Sequence, residues 1–460
     1  MADKLLIRAY NVGCGDCIYV RIPRKPDGFH ILIDCGKKGN DVLLKQAIDH
    51  LKTELPAGKI NGKKRLDLVV ATHRHEDHIK GFDARWFDDI EVRNVWLSVA
   101  MDPNHPQAEG VRNIRKLAGD TLRRVLESGQ ALNQEVETLA ALNGVSNEQA
   151  DKLLMNQIPA ANKIKPKYVH SGLKPKDLGL ELPPGTVIHV LAPEKDVDGY
   201  YLGKDADDTL RGLSDFSAQL GVSAASNAAP KNISLSDFEL LQSRMISNGL
   251  AFAAKESSIQ NNLSVVLLIE WKKRRLLFVG DAEWEGEFAD GKHNGSWNVM
   301  WEKHKKTHLS KPIDFLKVGH HGSTNATPHP PSMRPKSRKE VPGGVYTILD
   351  TILPVPKTGK PTAKAIVSTE REFYDPIPEC EVLVDLGRRV SNTRNYAESL
   401  KKAKIDPKTI WISTKATKKK FYESYEKQFL DQPQPWRTDL ETQLDKNQKG
   451  FVEVEIEPGM

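Results

Sequence analysis

Six consecutive residues, His73-Arg74-His75-Glu76-Asp77-His78, follow directly on the apolar run Leu66 to Ala71. Such a run reads as a buried strand, so the ligand-type side chains after it stand where the strand ends. Open α/β sheets place their chemistry at that edge, which ties the chain to a layered α/β fold. Two histidines two residues apart project the same way from an extended end and can meet one cation. Asp77 and His78 can serve a second cation beside it. Imidazole nitrogen and carboxylate oxygen suit zinc, manganese or iron, with a position left open for water. A polar loop of solvated histidines is the bland alternative, and it leaves the density of ligand types unexplained.

The rest of the N-terminal segment agrees with that edge. Strands are predicted at Leu5 to Tyr10, Cys17 to Arg21 and His30 to Asp34, a helix at Val42 to Leu51, then the strand Leu66 to Ala71. Asp34 closes the apolar run Ile31-Leu32-Ile33 and puts a second carboxylate at a strand end. From residue 99 to 257 helical periodicity takes over, as in Val111 to Leu142 and Leu235 to Ala254, interrupted by one strand at Thr186 to Leu191. This segment reads as an insertion or lid on a scaffold formed by residues 1–98 and 258–460. Strands resume at Ser264 to Glu270 and Arg275 to Val279, where Gly280-Asp281 supplies a third carboxylate. Ile313 to Val318 then runs into Gly319-His320-His321-Gly322-Ser323. Residues 327–361, rich in Pro, Gly, Lys and Arg, read as an exposed loop. The last strand candidates are Ala365 to Ser368, Ile410 to Ser413 and Phe451 to Ile456.

Composition narrows the setting. The 460 residues suffice for one large core or two ordinary ones. The first thirty residues carry no basic-then-apolar signal pattern, so a cytoplasmic protein is expected. No apolar run approaches the roughly 20 residues that cross a bilayer. A net charge of +6 permits a polyanionic partner without requiring one. Cys14, Cys17, Cys35 and Cys380 are too few and too scattered for a disulfide scaffold and read as structural residues in a reducing compartment.

Asp34, the His73 to His78 cluster, Asp281 and His320-His321, in that order, resemble the ligand elements of the metallo-β-lactamase superfamily of metal-dependent hydrolases. More narrowly, Asn11-Val12-Gly13-Cys14-Gly15-Asp16, Leu277-Phe278-Val279-Gly280-Asp281 and Leu316-Lys317-Val318-Gly319-His320-His321-Gly322-Ser323 are similar to the hydrolase domain of ComEC-type DNA-uptake proteins. The resemblance covers both ends of the chain and implies an αββα sandwich with a mostly helical insertion. It also implies that His73 and His75 bind a first metal, Asp77 and His78 a second, and Asp281 both. His321 is preferred over His320 as the last ligand because it directly precedes Gly322. Asp34 would orient ligand histidines from behind. Where the superfamily offers a further histidine, this chain reads Gln260-Asn261-Asn262, so Asn261, a water, His105 or His170 would complete the first site. Phe373-Tyr374-Asp375-Pro376 stands where ComEC-type domains often carry a His-Pro pair.

The implied cofactor is one or two zinc ions, with manganese or magnesium as oxygen-tolerant alternatives. A bound cation lowers the pKa of water toward neutrality and polarises a scissile group, with Asp77, Asp281 and His320 in catalytic roles. Lys317, Ser323, Thr324, Arg334, Lys336, Arg338 and Lys339 are candidates to neutralise a substrate phosphate. The leading expectation is therefore a phosphodiesterase or nuclease acting on nucleic acid or another phosphodiester. The alternatives are hydrolysis of a small cyclic nucleotide, lactone or thioester, and a non-catalytic binding module on the same scaffold.

Overall fold

The computed structural model describes residues 4–38, 41–60, 62–107, 119, 122, 146–203, 254–328, 345–368, 377–393, 396–405, 418–423 and 450–459. Strands β1 (Leu5–Tyr10), β2 (Cys17–Ile22), β3 (Phe29–Cys35), β4 (Lys64–Leu66), β5 (Leu68–Ala71), β6 (Ile90–Val92), β7 (Val95–Ser98) and β8 (Lys167–Val169) come first. β9 (Thr186–Ala192), β10 (Val266–Trp271), β11 (Arg274–Phe278), β12 (Phe315–Lys317), β13 (Lys364–Ile366) and β14 (Phe451–Ile456) follow. They make a seven-stranded sheet ordered β14-β1-β2-β3-β5-β7-β8, a five-stranded sheet ordered β13-β12-β11-β10-β9, and a small β4-β6 pair.

Each large sheet changes character midway. β14, β1, β2 and β3 are antiparallel to their neighbours, whereas β3, β5, β7 and β8 run parallel. In the second sheet β9, β10 and β11 are antiparallel, and β11, β12 and β13 parallel. Parallel strands need both faces covered, and these sequences are apolar on both. Along β1, Leu5, Ile7 and Ala9 pack with Leu267, Ile269, Leu276 and Phe278 of the second sheet, while Leu6 and Tyr10 turn the other way. The period of two thus sorts one strand between two cores. The outer core is closed by helix α1 (Val42–Glu54), whose Leu44, Ala47, Ile48 and Leu51 recur at i, i+3, i+4 and i+7. On the outer side of the second sheet, Leu268, Leu277 and Leu316 meet Trp297 and Met300 of the helix Ser296–His304 and Leu383 of the helix Cys380–Gly387. Each fully buried side chain of this size contributes about 1.5–3 kcal/mol, so the sheet edges that carry the site rest on a rigid base.

Two expectations need correction. The run Leu66 to Ala71 is two strands, because the buried Asp67 between them turns its carboxylate to the backbone N–H of His30 (2.9 Å) and to Arg65 (3.3 Å). The segment 99–257 is not a separate helical insertion throughout. β8 extends the first sheet beside β7, and β9 forms the edge of the second beside β10. Their short length and half-polar pattern hid the pairing. The strand predicted at Ile410 to Ser413 and most of the helices predicted at Val111 to Leu142 and Leu235 to Ala254 lie outside the described residues. Among the described residues no helix is long and apolar enough to cross a membrane.

Candidate metal centre

The C-terminal ends of parallel strands from both sheets meet at one place. Asp34 leaves β3 with φ +57°, a left-handed conformation that turns its carboxylate onto the neighbouring strand end. There it accepts the Thr72 N–H and hydroxyl, both at 2.7 Å, and the Nδ1–H of His78 at 2.8 Å. After β5 the chain passes His73 and enters the one-turn helix α2 (Glu76–Ile79), which begins just after His75. This turn presents Asp77 and His78 side by side. It is clamped by close backbone approach: a Cβ on Gly36 would lie 2.2 Å from the His78 nitrogen, and one on Gly15 would lie 2.9 Å from the Asp77 oxygen. Only glycine fits at either position. The Asp16 N–H donates to the Asp77 carbonyl (2.8 Å) and Gly36 to that of Asp16 (2.9 Å), joining the three loops.

The second sheet supplies the rest. Gly280, at φ +53°, turns the chain after β11 so that Asp281 points back across the gap. His320 and His321 are both left-handed after β12, with φ +42° and +55°, conformations costing about 1–2 kcal/mol each in non-glycine residues. The His320 N–H donates to Oδ1 of Asp281 (3.0 Å), which the strained turn makes possible.

Four groups of metal-capable atoms result among the described residues, and two of them share Asp281. His73, His75 and Asp281 form one, and His78, Asp281 and His321 the other. Nε2 of His73 lies 2.9 Å from Nδ1 of His75 and 3.8 Å from Oδ2 of Asp281. That oxygen is 3.1 Å from Nε2 of His78, and Nε2 of His321 is 3.2 Å from Oδ2 of Asp77. A third group, Cys14, Asp77 and His321, overlaps the second. All these residues are buried. His78 and His321 each have Nδ1 against an acceptor, Asp34 Oδ2 and the Ser368 carbonyl (2.8 Å), which fixes the tautomer and turns Nε2 inward. Oδ1 of Asp77 is buried with no hydrogen-bond partner, the state expected of an atom awaiting a cation. The donor set therefore fits a divalent metal ion.

Electrostatics favour the His73/His75 group in particular. Burial holds His73 well below the usual imidazole range and His75 down to about 3, so both keep the lone pair that a metal needs. Burial would raise Asp77, but the Lys38 ammonium and then His321 overcome it and hold the carboxyl well below its ordinary range. Asp281 is likewise held low against burial, chiefly by His78. Burial opposes charge on His78, and Asp281 and Asp34 reverse that and raise it.

The predicted residues divide accordingly. His73, His75, Asp77, His78, Asp281 and His321 come together, with Asp34 behind them. His320 does not join the groups. Its partly exposed ring instead places Nδ1 3.7 Å from Oε1 of Glu283. Asn261 turns its amide nitrogen to the same oxygen (2.8 Å) rather than to the histidines. Neither His105 nor His170 is brought to the site; the latter has Nδ1 on the Ser171 carbonyl (2.6 Å). Lys317 requires correction. Its ammonium is buried and pairs with Oδ2 of Asp16 at 2.8 Å, so it is not free to meet a phosphate. The Ser323 hydroxyl turns to Asn325, and Thr324 is half-buried close by. Arg334, Lys336, Arg338, Lys339 and Asp375 lie outside the described residues.

Three buried residues were missed: Cys14, Lys38 and Glu283. Lys38 carries the largest charge effect, with Nζ 3.1 Å from Oδ2 of Asp77. Its position four residues after Asp34, beyond the crowded Gly36, is the one sequence signal that could have found it. Compared with protein-family models and with curated protein sequences, the chain matches none.

Proposed function

We propose that this chain is a metal-dependent hydrolase of the metallo-β-lactamase type, cleaving a phosphodiester. The observation that carries this reading is Asp281, whose carboxylate serves both the His73/His75 group and the His78/His321 group. The order of layers, helix, sheet, sheet, helix, supports the same fold type, as does the pooling of ligands from two sheets at strand ends. Nitrogen and carboxylate donors favour zinc, with manganese as the oxygen-tolerant alternative. A divalent cation held there supplies Lewis acidity toward a phosphoryl oxygen and makes water a stronger acid.

The chain's own residues supply the remainder. Asp34 and the Ser368 carbonyl hold His78 and His321 in one orientation, so the site is preorganised rather than assembled on binding. Asp281 also fixes the turn at His320 through its backbone N–H. The His320 ring, partly exposed and facing Glu283, is placed to hold a proton at the rim of the centre. Within hydrolases, the phosphodiester is favoured by the likeness of the three glycine-bearing motifs to ComEC-type domains; Lys317 no longer contributes. Nucleic acid is the corresponding polymer substrate.

The test is metal analysis of purified protein together with turnover of bis-p-nitrophenyl phosphate, DNA, RNA, cyclic nucleotides and a lactone in zinc, manganese or magnesium. Diester cleavage that disappears in Asp281→Ala is expected. Opening of the lactone with every phosphodiester left intact would overturn the substrate assignment.

A further inference from the structure

Lys38 is a buried amine inside a centre built for cations. Its side chain is 3% exposed, and its Nζ lies 3.1 Å from the same Asp77 oxygen that His321 approaches at 3.2 Å. The position is built rather than incidental. The Lys38 N–H donates to the Cys14 carbonyl (2.9 Å), and two residues earlier Gly36 is pressed against the backbone of Asp77 and His78. An ammonium on this anchored loop has little room to retreat into solvent.

Charge makes its presence consequential. Counting carboxylates and amines alone, Asp34, Asp77 and Asp281 bring three negative charges and Lys38 one positive charge. The balance of minus two is cancelled by one divalent ion. A second divalent ion would leave a buried excess of two positive charges, with the ammonium close against it, and uncompensated buried charge is strongly disfavoured. Asp16 does not alter the count because Lys317 neutralises it. Asp34 is counted because it hydrogen-bonds the ligand His78 at 2.8 Å, whereas Glu283 is met by Asn261, Ser258 and Asn325 and faces the His320 ring, away from the ligands of both groups.

We propose that the Lys38 ammonium serves as a resident cation beside Asp77 and His321, so that the chain holds one divalent ion tightly, at His73, His75 and Asp281, and excludes a second. The proposal rests on the metal-centre reading above and specifies its stoichiometry. Lys38 is a positioning residue in this scheme: it acts on the metals through Asp77.

The experiment loads the natural protein and Lys38→Met with excess zinc, removes the loose ion by dialysis, and measures zinc per chain by mass spectrometry. One ion in the natural protein and two in Lys38→Met are expected. Lys38→Arg, which keeps the charge, should remain at one. Two ions in the natural protein, or one in a folded Lys38→Met, would overturn the proposal. Electron paramagnetic resonance of the natural protein with manganese gives an answer that depends on no variant. A single-ion spectrum with six hyperfine lines supports the proposal, and a spin-coupled pair overturns it. Absence of any bound ion in the natural protein would instead sink the metal-centre reading, and this proposal with it.

Discussion

Replacing Lys317 by Met separates two roles for a lysine that the sequence places next to the histidine pair. In the structure its ammonium meets Oδ2 of Asp16 at 2.8 Å and the Val318 carbonyl at 2.9 Å, while the Ser368 hydroxyl donates to the other Asp16 oxygen. Both partners of the ion pair are almost wholly buried, at 3% and 4% side-chain exposure. Deleting one partner of such a pair strands the other charge and costs about 3–5 kcal/mol. An unfolding entropy of about 2.1 cal/mol/K per residue gives the whole chain about 1 kcal/mol/K, so a melting temperature lower by about 3–5 °C is expected. Lys317→Met combined with Asp16→Asn should recover part of that loss, because no unpaired carboxylate remains. The assay is thermal unfolding of both single variants and the double variant, with KM for a small diester measured well below the melting range. An unchanged melting temperature with a raised KM would refute the reasoning and restore Lys317 as a substrate contact.

Asp34→Asn keeps the shape but weakens the acceptor for the Thr72 hydroxyl, which in turn meets Nδ1 of the ligand His73 at 3.1 Å. Loss of such an outer support lowers metal affinity by about 10–100-fold, measurable by competition with a chromogenic chelator. His75→Ala should lose metal, whereas His320→Ala should keep it and lose turnover; equal metal loss in both would contradict the geometry. His304 gives a pH prediction away from the centre. Burial, then the neighbouring His308, lower its pKa from 6.5 to about 4. The folded chain therefore binds fewer protons than the unfolded one between those values. Stability is complete above pH 6.5 and falls as the pH drops toward 4, by about 2 kcal/mol after allowance for the ring's partial exposure. His304→Gln should flatten the melting temperature over that window, and an unchanged slope would show that other groups set it.

How far the chain could be read depended on whether neighbours in space were also neighbours in sequence. The six-residue cluster His73 to His78 announces itself, because a strand end followed by one helical turn brings its side chains together locally. Asp34, Asp281 and His321 were legible for a related reason: each ends an apolar run. Lys38 and Cys14 were not, since they reach Asp77 only through the close packing of Gly15 and Gly36 against another loop. The burial of Lys317 follows from strand periodicity alone. Phe315 packs between the sheets and Leu316 outside them, so the period of two sends Lys317 inward with Phe315. β8 and β9 escaped notice as sheet members because edge pairing leaves little mark on seven or fewer residues.

The pairing of the first strand with the last has a consequence for how the molecule is made. β1 is sandwiched between β2 and β14, and Lys4 meets Glu455 across 451 positions of sequence. While the chain emerges from the ribosome, β1 and β2 can form a hairpin, but one flank of β1 waits until β14 has been synthesised. Until then that flank is an open template for strand addition by another chain. Contacts of such long range also slow the final closure. Arg8 sits on the waiting strand, and in the finished fold it takes Glu453 from β14 at 2.6 Å. Until then its charge, set among apolar neighbours, is a deterrent to the wrong partner.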